Sequence, residues 1–260
     1  MKRAIYPFAV AMVAAMPYSL FGGVFPDFGY SPPSDWSGTL FELSQSYPNN
    51  PPAASVNPWS SIDFKTSPET YLQSVLSYCL EGNVEADFRP KSNQIRSWYH
   101  APWLHYGNNG REFVNGLTVE RRSRPFELSA QQTTIYRNFA VGFYNDIGGY
   151  TIGQVWLNPD RPNPAAAKFG EGSVSFKLLF TTAPSSTVPY LAGSPEWVAD
   201  IDRSSSSKQI EATKVRLLQI DIAVRDNRAV GGWIFGTFHY DSTLNNSNPW
   251  SNLRPLALVW

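Results

Sequence analysis

The clearest pattern in the chain is an alternation of apolar and polar positions in its second half. In residues 173–181 every second residue is apolar, and Ser173, Ser175 and Lys177 lie on the other face. This spacing predicts a β-strand with one buried face. Three further runs predict strands in the same way, and they occupy residues 215–225, 232–241 and 253–260.

Two more strands are predicted around the sequence Asp146-Ile147-Gly148-Gly149. The apolar runs 138–145 and 150–158 flank these turn-forming residues, which predicts a β-hairpin. The total is about six strands without any regular alternation of strands and helices. The sequence therefore predicts a mainly antiparallel sheet.

One helix is predicted ahead of the strands. Ser67 can cap its start, Pro68 suits its first turn and Gly82 ends it. The apolar positions between them follow helical spacing. Cys79 lies in this helix, either as a buried small apolar residue or as a reactive thiol, and the first reading is favoured.

The ends of the chain have different characters. Residues 1–23 begin with Lys2 and Arg3, continue with an apolar run and contain no acid, which predicts a cleaved signal peptide and no stable membrane span. We expect a periplasmic or secreted protein. The terminal strand stops on apolar Trp260, so either the strand simply docks in the sheet or further sequence is missing beyond it.

These patterns predict an α+β fold in three parts. Residues 1–23 are the signal peptide, and residues 24–135 form an irregular and helical region that wraps the sheet. Residues 136–260 form the antiparallel β domain. The aromatic residues of the irregular region carry too much apolar area to remain in water, so we expect this region to be ordered.

Composition excludes several function classes. The chain has 21 basic and 21 acidic residues, so its net charge argues against binding to nucleic acid by bulk electrostatics. Apolar residues make up 42% and charged residues 16%, which indicates a globular protein. A single cysteine excludes an internal disulfide, a cysteine-rich zinc site and a CxxCH haem attachment within this chain.

One aromatic-rich segment holds candidate ligands. His100 and His105, with Glu112 nearby, can in principle bind a metal, although hydrogen-bonding histidines are the alternative and the favoured reading. Four aromatic residues of the same segment form either a carbohydrate-stacking platform or part of the core; they are Trp98, Tyr99, Trp103 and Tyr106.

Three strand motifs occur in a defined order along residues 140–245. They are GSVSFK at 172–177, VRD at 224–226 and GWIF at 232–235. In this order and spacing they resemble the sheet segments of the cytochrome P-460 family and its cytochrome c′-beta relatives. The resemblance implies an exported haem protein with an antiparallel β fold that oxidises or binds small nitrogen compounds such as hydroxylamine or nitric oxide.

The resemblance also implies roles for two residues. Lys177 stands where the enzymatic members carry a lysine that cross-links to the haem; the alternative is an ordinary lysine on the solvent face. Asp221 stands where these enzymes hold an acidic residue that accepts protons from the substrate; the alternative is a residue that points outward beside Gln219. Haem c is the implied cofactor, and a c-type cytochrome is an implied redox partner.

The chain departs from the family at the haem attachment. The family carries CxxCH near its C-terminus, and this sequence has no such motif. Either the attachment segment lies beyond Trp260 or has been lost, or the protein has a haem-free role. The alternative function is therefore an extracytoplasmic binding protein with an aromatic surface for glycan or protein partners.

Overall fold

A computed structural model describes residues 31–32, 34–53, 56–102, 110–201 and 212–260. These residues contain an eight-stranded antiparallel sheet and two α-helices. The strands are β1 (Trp98–His100), β2 (Thr118–Ser123), β3 (Tyr136–Asn145), β4 (Val174–Thr181), β5 (Glu196–Asp200), β6 (Ala212–Arg225), β7 (Trp233–Tyr240) and β8 (Leu253–Val259). The helices are α1 (Pro68–Leu80) and α2 (Asp146–Val155). The predicted α+β, mainly antiparallel fold is confirmed.

The strands follow the order β1-β3-β4-β6-β7-β8 across the sheet. Two short strands lie off this path, since β2 pairs with β3 and β5 pairs with β6. Both β1 and β2 pair with β3, β1 at its C-terminal end and β2 at its N-terminal end. The central strands β4 and β6 are thus covered on both edges by other strands.

One face of the sheet forms the core. Phe176, Leu178 and Phe180 of β4 project to this face and are at most 1% exposed, which confirms the predicted alternation. Helix α1 covers the same face, and Leu72 lies against the backbone of Gly236 in β7. Cys79 is completely buried in α1, and burial raises the pKa of its thiol. Its predicted role as a small core residue is confirmed.

The predicted hairpin around residues 146–149 is wrong, because residues 146–155 form helix α2. The Asn145 side chain accepts a hydrogen bond from Gly148 N at 3.0 Å and so caps the helix. Gly148 and Gly149, which predicted a turn, lie in α2 and are in close contact with neighbouring residues. A side-chain carbon at Gly149 would lie 2.6 Å from the Tyr99 ring, so the close approach of α2 to β1 requires glycine.

The predicted start of the sheet at residue 136 also needs correction, since β1 and β2 precede it. Both strands are short and their burial is mixed, so neither shows the apolar and polar alternation that predicts a strand. Other parts of the preceding region do pack on the sheet core, as Trp59 and Phe64 are each 1% exposed. Residues 1–23 lie outside the described residues, and no helix in the described part is long and apolar enough to cross a membrane.

A buried carboxylate ties this region to the sheet. Asp226, which follows β6, is fully buried and accepts hydrogen bonds from Arg228 Nε at 2.9 Å and Nη2 at 2.6 Å. The Tyr71 hydroxyl of α1 donates to the same carboxylate at 3.0 Å. Arg228 also donates to the carbonyls of Ser60 and Ile62, both at 2.8 Å. We call this group the Asp226 clasp.

Candidate functional site

Lys177 and Asp221 are direct partners on neighbouring strands. Lys177 of β4 pairs in register with Asp221 of β6, and the Lys177 Nζ lies 3.4 Å from Asp221 Oδ2. Both alternate with buried core residues, so they project from the opposite side of the sheet. We call that side the outer face. The two side chains are 38% and 30% exposed, so solvent reaches the pair.

Two polar neighbours fix the Asp221 carboxylate. Gln219 Nε2 donates a hydrogen bond to Asp221 Oδ1 at 2.6 Å, and Thr237 Oγ1 donates to the same oxygen at 2.9 Å. Thr237 comes from β7, where it pairs in register with Asp221. Asp221 therefore points outward beside Gln219, as the alternative reading of this residue expected, and hydrogen bonds from β6 and β7 hold its carboxylate.

A third charged group joins the pair from the edge of the sheet. Glu120 of β2 lies with its Oε1 3.6 Å from Lys177 Nζ. Strand β3 lies between β2 and β4, and its residue opposite Lys177 is Gly142. A side-chain carbon built at Gly142 would meet only the Phe176 carbonyl oxygen at 3.7 Å, so the space above this glycine is open.

Four aromatic rings lie near these charged groups. They run from Tyr144 of β3 through Phe169 to Trp233 and Phe235 of β7, with successive ring centroids 6.5, 5.3 and 6.3 Å apart. We call them the aromatic ladder. Phe235 is 45% exposed and pairs in register with Ala223, whose small side chain follows Asp221 on the same face. The outer face thus combines charged groups, small residues and accessible rings.

Sequence reasoning missed Glu120 and His239. His239 of β7 pairs in register with Gln219, and its ring lies 5.6 Å from that of Tyr190. Burial lowers the pKa of His239, whereas the nearby Asp241 raises it. The alternation of residues 232–241 placed His239 and Thr237 on one face, but Glu120 belongs to β2, a short strand that the sequence does not signal.

The described part of the aromatic-rich segment follows the favoured reading, in which His100 makes hydrogen bonds and the aromatic residues belong to the core. His100 is fully buried, and its Nδ1 accepts a hydrogen bond from Ser44 N at 2.9 Å. Trp98 is 1% exposed and packs against Phe176, so it cannot serve in an exposed stacking platform. Residues 103–109, which include His105, Trp103 and Tyr106, lie outside the described residues. Within the described ranges, no group of three or more His, Cys, Asp or Glu side chains is placed to hold a metal.

A small pocket of about 20 Å³ lies apart from the outer-face pair. Phe41, Phe88 and Trp197 contribute to its wall, and neither Lys177 nor Asp221 does. Phe88 has a positive φ of 52°, which follows a φ of 49° at Asp87. This strained turn inserts the Phe88 ring into the core, where it lies 4.6 Å from the Trp250 ring.

The outer face can be compared with the requirements of a haem. A haem macrocycle is flat and needs open space above the sheet. The row through Gly142, Lys177 and Asp221 has such space at the glycine. One exposed aromatic ring, that of Phe235, lies beside this row, and an amine and a carboxylate stand on it. These side chains could contact a macrocycle, but the sequence supplies neither the two thiols nor the axial histidine of a CxxCH attachment. For a bond from the Lys177 nitrogen to a macrocycle, the amine must leave its two carboxylate neighbours.

Comparison with protein-family models, with curated proteins and with solved structures found no match for this chain. The resemblance to cytochrome P-460 therefore stays a prediction, as do the haem cofactor and the roles of Lys177 and Asp221.

Proposed function

We propose that the outer face around Lys177 and Asp221 is the haem-facing surface of an exported cytochrome P-460-like protein that oxidises or binds small nitrogen compounds. One observation carries this proposal. The two residues that the motif resemblance selects on separate strands are direct register partners on an open face, with 3.4 Å between their charged atoms. When bound, haem would supply the redox chemistry, and the protein would supply orientation and proton transfer.

Each residue of the face has a definable task in this proposal. Lys177 supplies an amine that can anchor the macrocycle. Asp221 can accept a proton from a small substrate, because Gln219 and Thr237 hold its carboxylate in place. The aromatic ladder offers apolar surface beside a flat ligand. A c-type cytochrome is the matching redox partner.

An absorption spectrum tests the proposal. The complete reading frame, including any codons after Trp260, is expressed with a cytochrome c maturation system. We expect a Soret band, a shifted Soret maximum in Lys177→Arg, and loss of hydroxylamine oxidation with retention of the band in Asp221→Asn. Lys214→Arg is the matched control, since Lys214 is another ion-paired lysine of the sheet, 3.1 Å from Glu196. A wild-type protein without a Soret band would overturn the proposal.

The aromatic ladder favours a second candidate function, which is haem-free binding of glycan or protein partners. Exposed rings stack on the apolar faces of sugars, and the neighbouring carboxylates and amide can hydrogen-bond hydroxyl groups. Phe235, at 45% exposure, is the most accessible ring of the ladder, because the other three rings are half-buried. We expect quenching or enhancement of tryptophan fluorescence by neutral oligosaccharides if this function holds, and its loss in Phe235→Ala. Val230→Ala, at an exposed turn residue, is the control.

A further inference from the structure

The Lys177 amine lies between two carboxylates that come from different strands. Its distances to Asp221 Oδ2 and Glu120 Oε1 are 3.4 and 3.6 Å. Charge-assisted hydrogen bonds between nitrogen and oxygen usually measure about 2.7–2.9 Å. The amine is therefore close to both groups and tightly bound to neither, and each carboxylate influences its place on the outer face.

The fold gives Glu120 a direct approach to this amine. Glu120 and Lys177 belong to β2 and β4, which lie on opposite sides of β3, so the ion pair crosses one strand. On β3, Glu120 pairs in register with Asn138 and Lys177 pairs with Gly142, so the contact runs diagonally across the strand between rows four residues apart.

An irregularity of β2 lies immediately after Glu120. The register of β2 against β3 is continuous from Thr118 to Glu120 and then shifts before Ser123. A register shift of this kind twists an edge strand and changes the direction of its side chains. The irregularity therefore lies next to the residue that makes the ion pair.

We propose that Glu120 is a positioning residue that holds the Lys177 amine between two carboxylates and away from a single contact with Asp221. The consequence of this role for haem anchoring rests on the proposed function, but the contact itself does not. In Glu120→Gln the amine loses one of its two anionic neighbours. It then has only Asp221 as a charged partner among the contacts described for it.

Amine labelling of the full chain tests this inference without any haem. An ion pair holds the amine nitrogen at a carboxylate, and the amine must leave this contact before it can attack formaldehyde in reductive methylation with borane. The labelling rate of each lysine is measured by peptide mass spectrometry under limiting reagent. We expect Glu120→Gln to accelerate labelling of Lys177 by about two- to five-fold, the range for an exposed ion pair. Glu120→Asp keeps the charge and should restore most of the slow rate.

The sheet provides an internal control in Lys214, which pairs with Glu196. Glu120→Gln should leave the Lys214 rate unchanged, and Glu196→Gln should accelerate Lys214 without affecting Lys177. An unchanged Lys177 rate in Glu120→Gln, or equal acceleration of both lysines, would overturn the inference. If the labelling result holds while the Soret band is absent, the positioning role stands and the haem proposal fails.

Discussion

Arg228→Met is expected to lower the free energy of unfolding by about 3–5 kcal/mol at pH 7, the range for breaking a buried ion pair. The substitution leaves the Asp226 carboxylate, which has no exposed surface, without its charged partner. It also removes the donors to the carbonyls of Ser60 and Ile62. Because the Arg228 side chain is 40% exposed, water can replace part of these carbonyl contacts, so the lower end of the range is expected.

The loss should depend on pH. Burial raises the pKa of Asp226, but hydrogen bonds from the Arg228 side chain and backbone and from Tyr71 lower it more, so the net pKa lies below its usual value. A depressed pKa in the folded state stabilises the protein above the unfolded value of about 3.9, and this contribution disappears as the pH falls through the folded pKa. Without Arg228 the effect of burial dominates. The variant carboxyl can then take up a proton as the pH falls, and the destabilisation should shrink.

Urea unfolding, followed by tryptophan fluorescence at pH 7 and pH 4.5, measures both effects. Arg254→Met is the matched control. Arg254 pairs with Asp241 at 2.5 Å but is 48% exposed, and two bonds from Thr243 still reach that carboxylate, so we expect a loss of about 1 kcal/mol. A smaller loss in Arg228→Met than in Arg254→Met, or an equal loss at both pH values, would refute the reasoning.

Four other substitutions and one thiol reaction test the packing. Gly236→Ala should cost about 1–3 kcal/mol because the new carbon would overlap Leu72, whereas Gly142→Ala should leave urea stability unchanged or slightly higher. Glu112→Ala removes the buried acceptor of four backbone N–H groups and should cost about 3 kcal/mol in the same assay, with a smaller loss for Gln. Cys79 should react with a disulfide reagent only after unfolding, since burial raises the pKa of its thiol; rapid reaction of the native protein would contradict this.

The strands that the sequence predicts well are those with one buried and one solvated face. In β4 the apolar side chains face the core and Ser175 and Lys177 face outward, so alternation along the chain is enough to identify it. Helix α1 is similarly clear, because its apolar spacing and Gly82 mark its extent. In each of these elements, local pattern and tertiary environment agree.

The errors occur where tertiary contacts oppose local preference. Gly148 and Gly149 are poor helix formers, yet α2 forms because Asn145 caps it and because glycine fits against Tyr99. The outer-face group could be predicted only in part. Register between β4 and β6 places Lys177 beside Asp221, but Glu120 arrives from a strand whose short, exposed pattern carries no signal.

The Asp226 clasp can form only late in the synthesis of the chain. Tyr71 and Asp226 are separated by 155 residues, so α1 emerges from the ribosome long before its partner exists. At about 5–20 residues per second, this delay is roughly 10–30 s. An isolated helix of 13 residues is marginal in water, so α1 cannot reach its final position in that interval. Helix α1 should remain open to chaperones until β6 and Asp226 have been made.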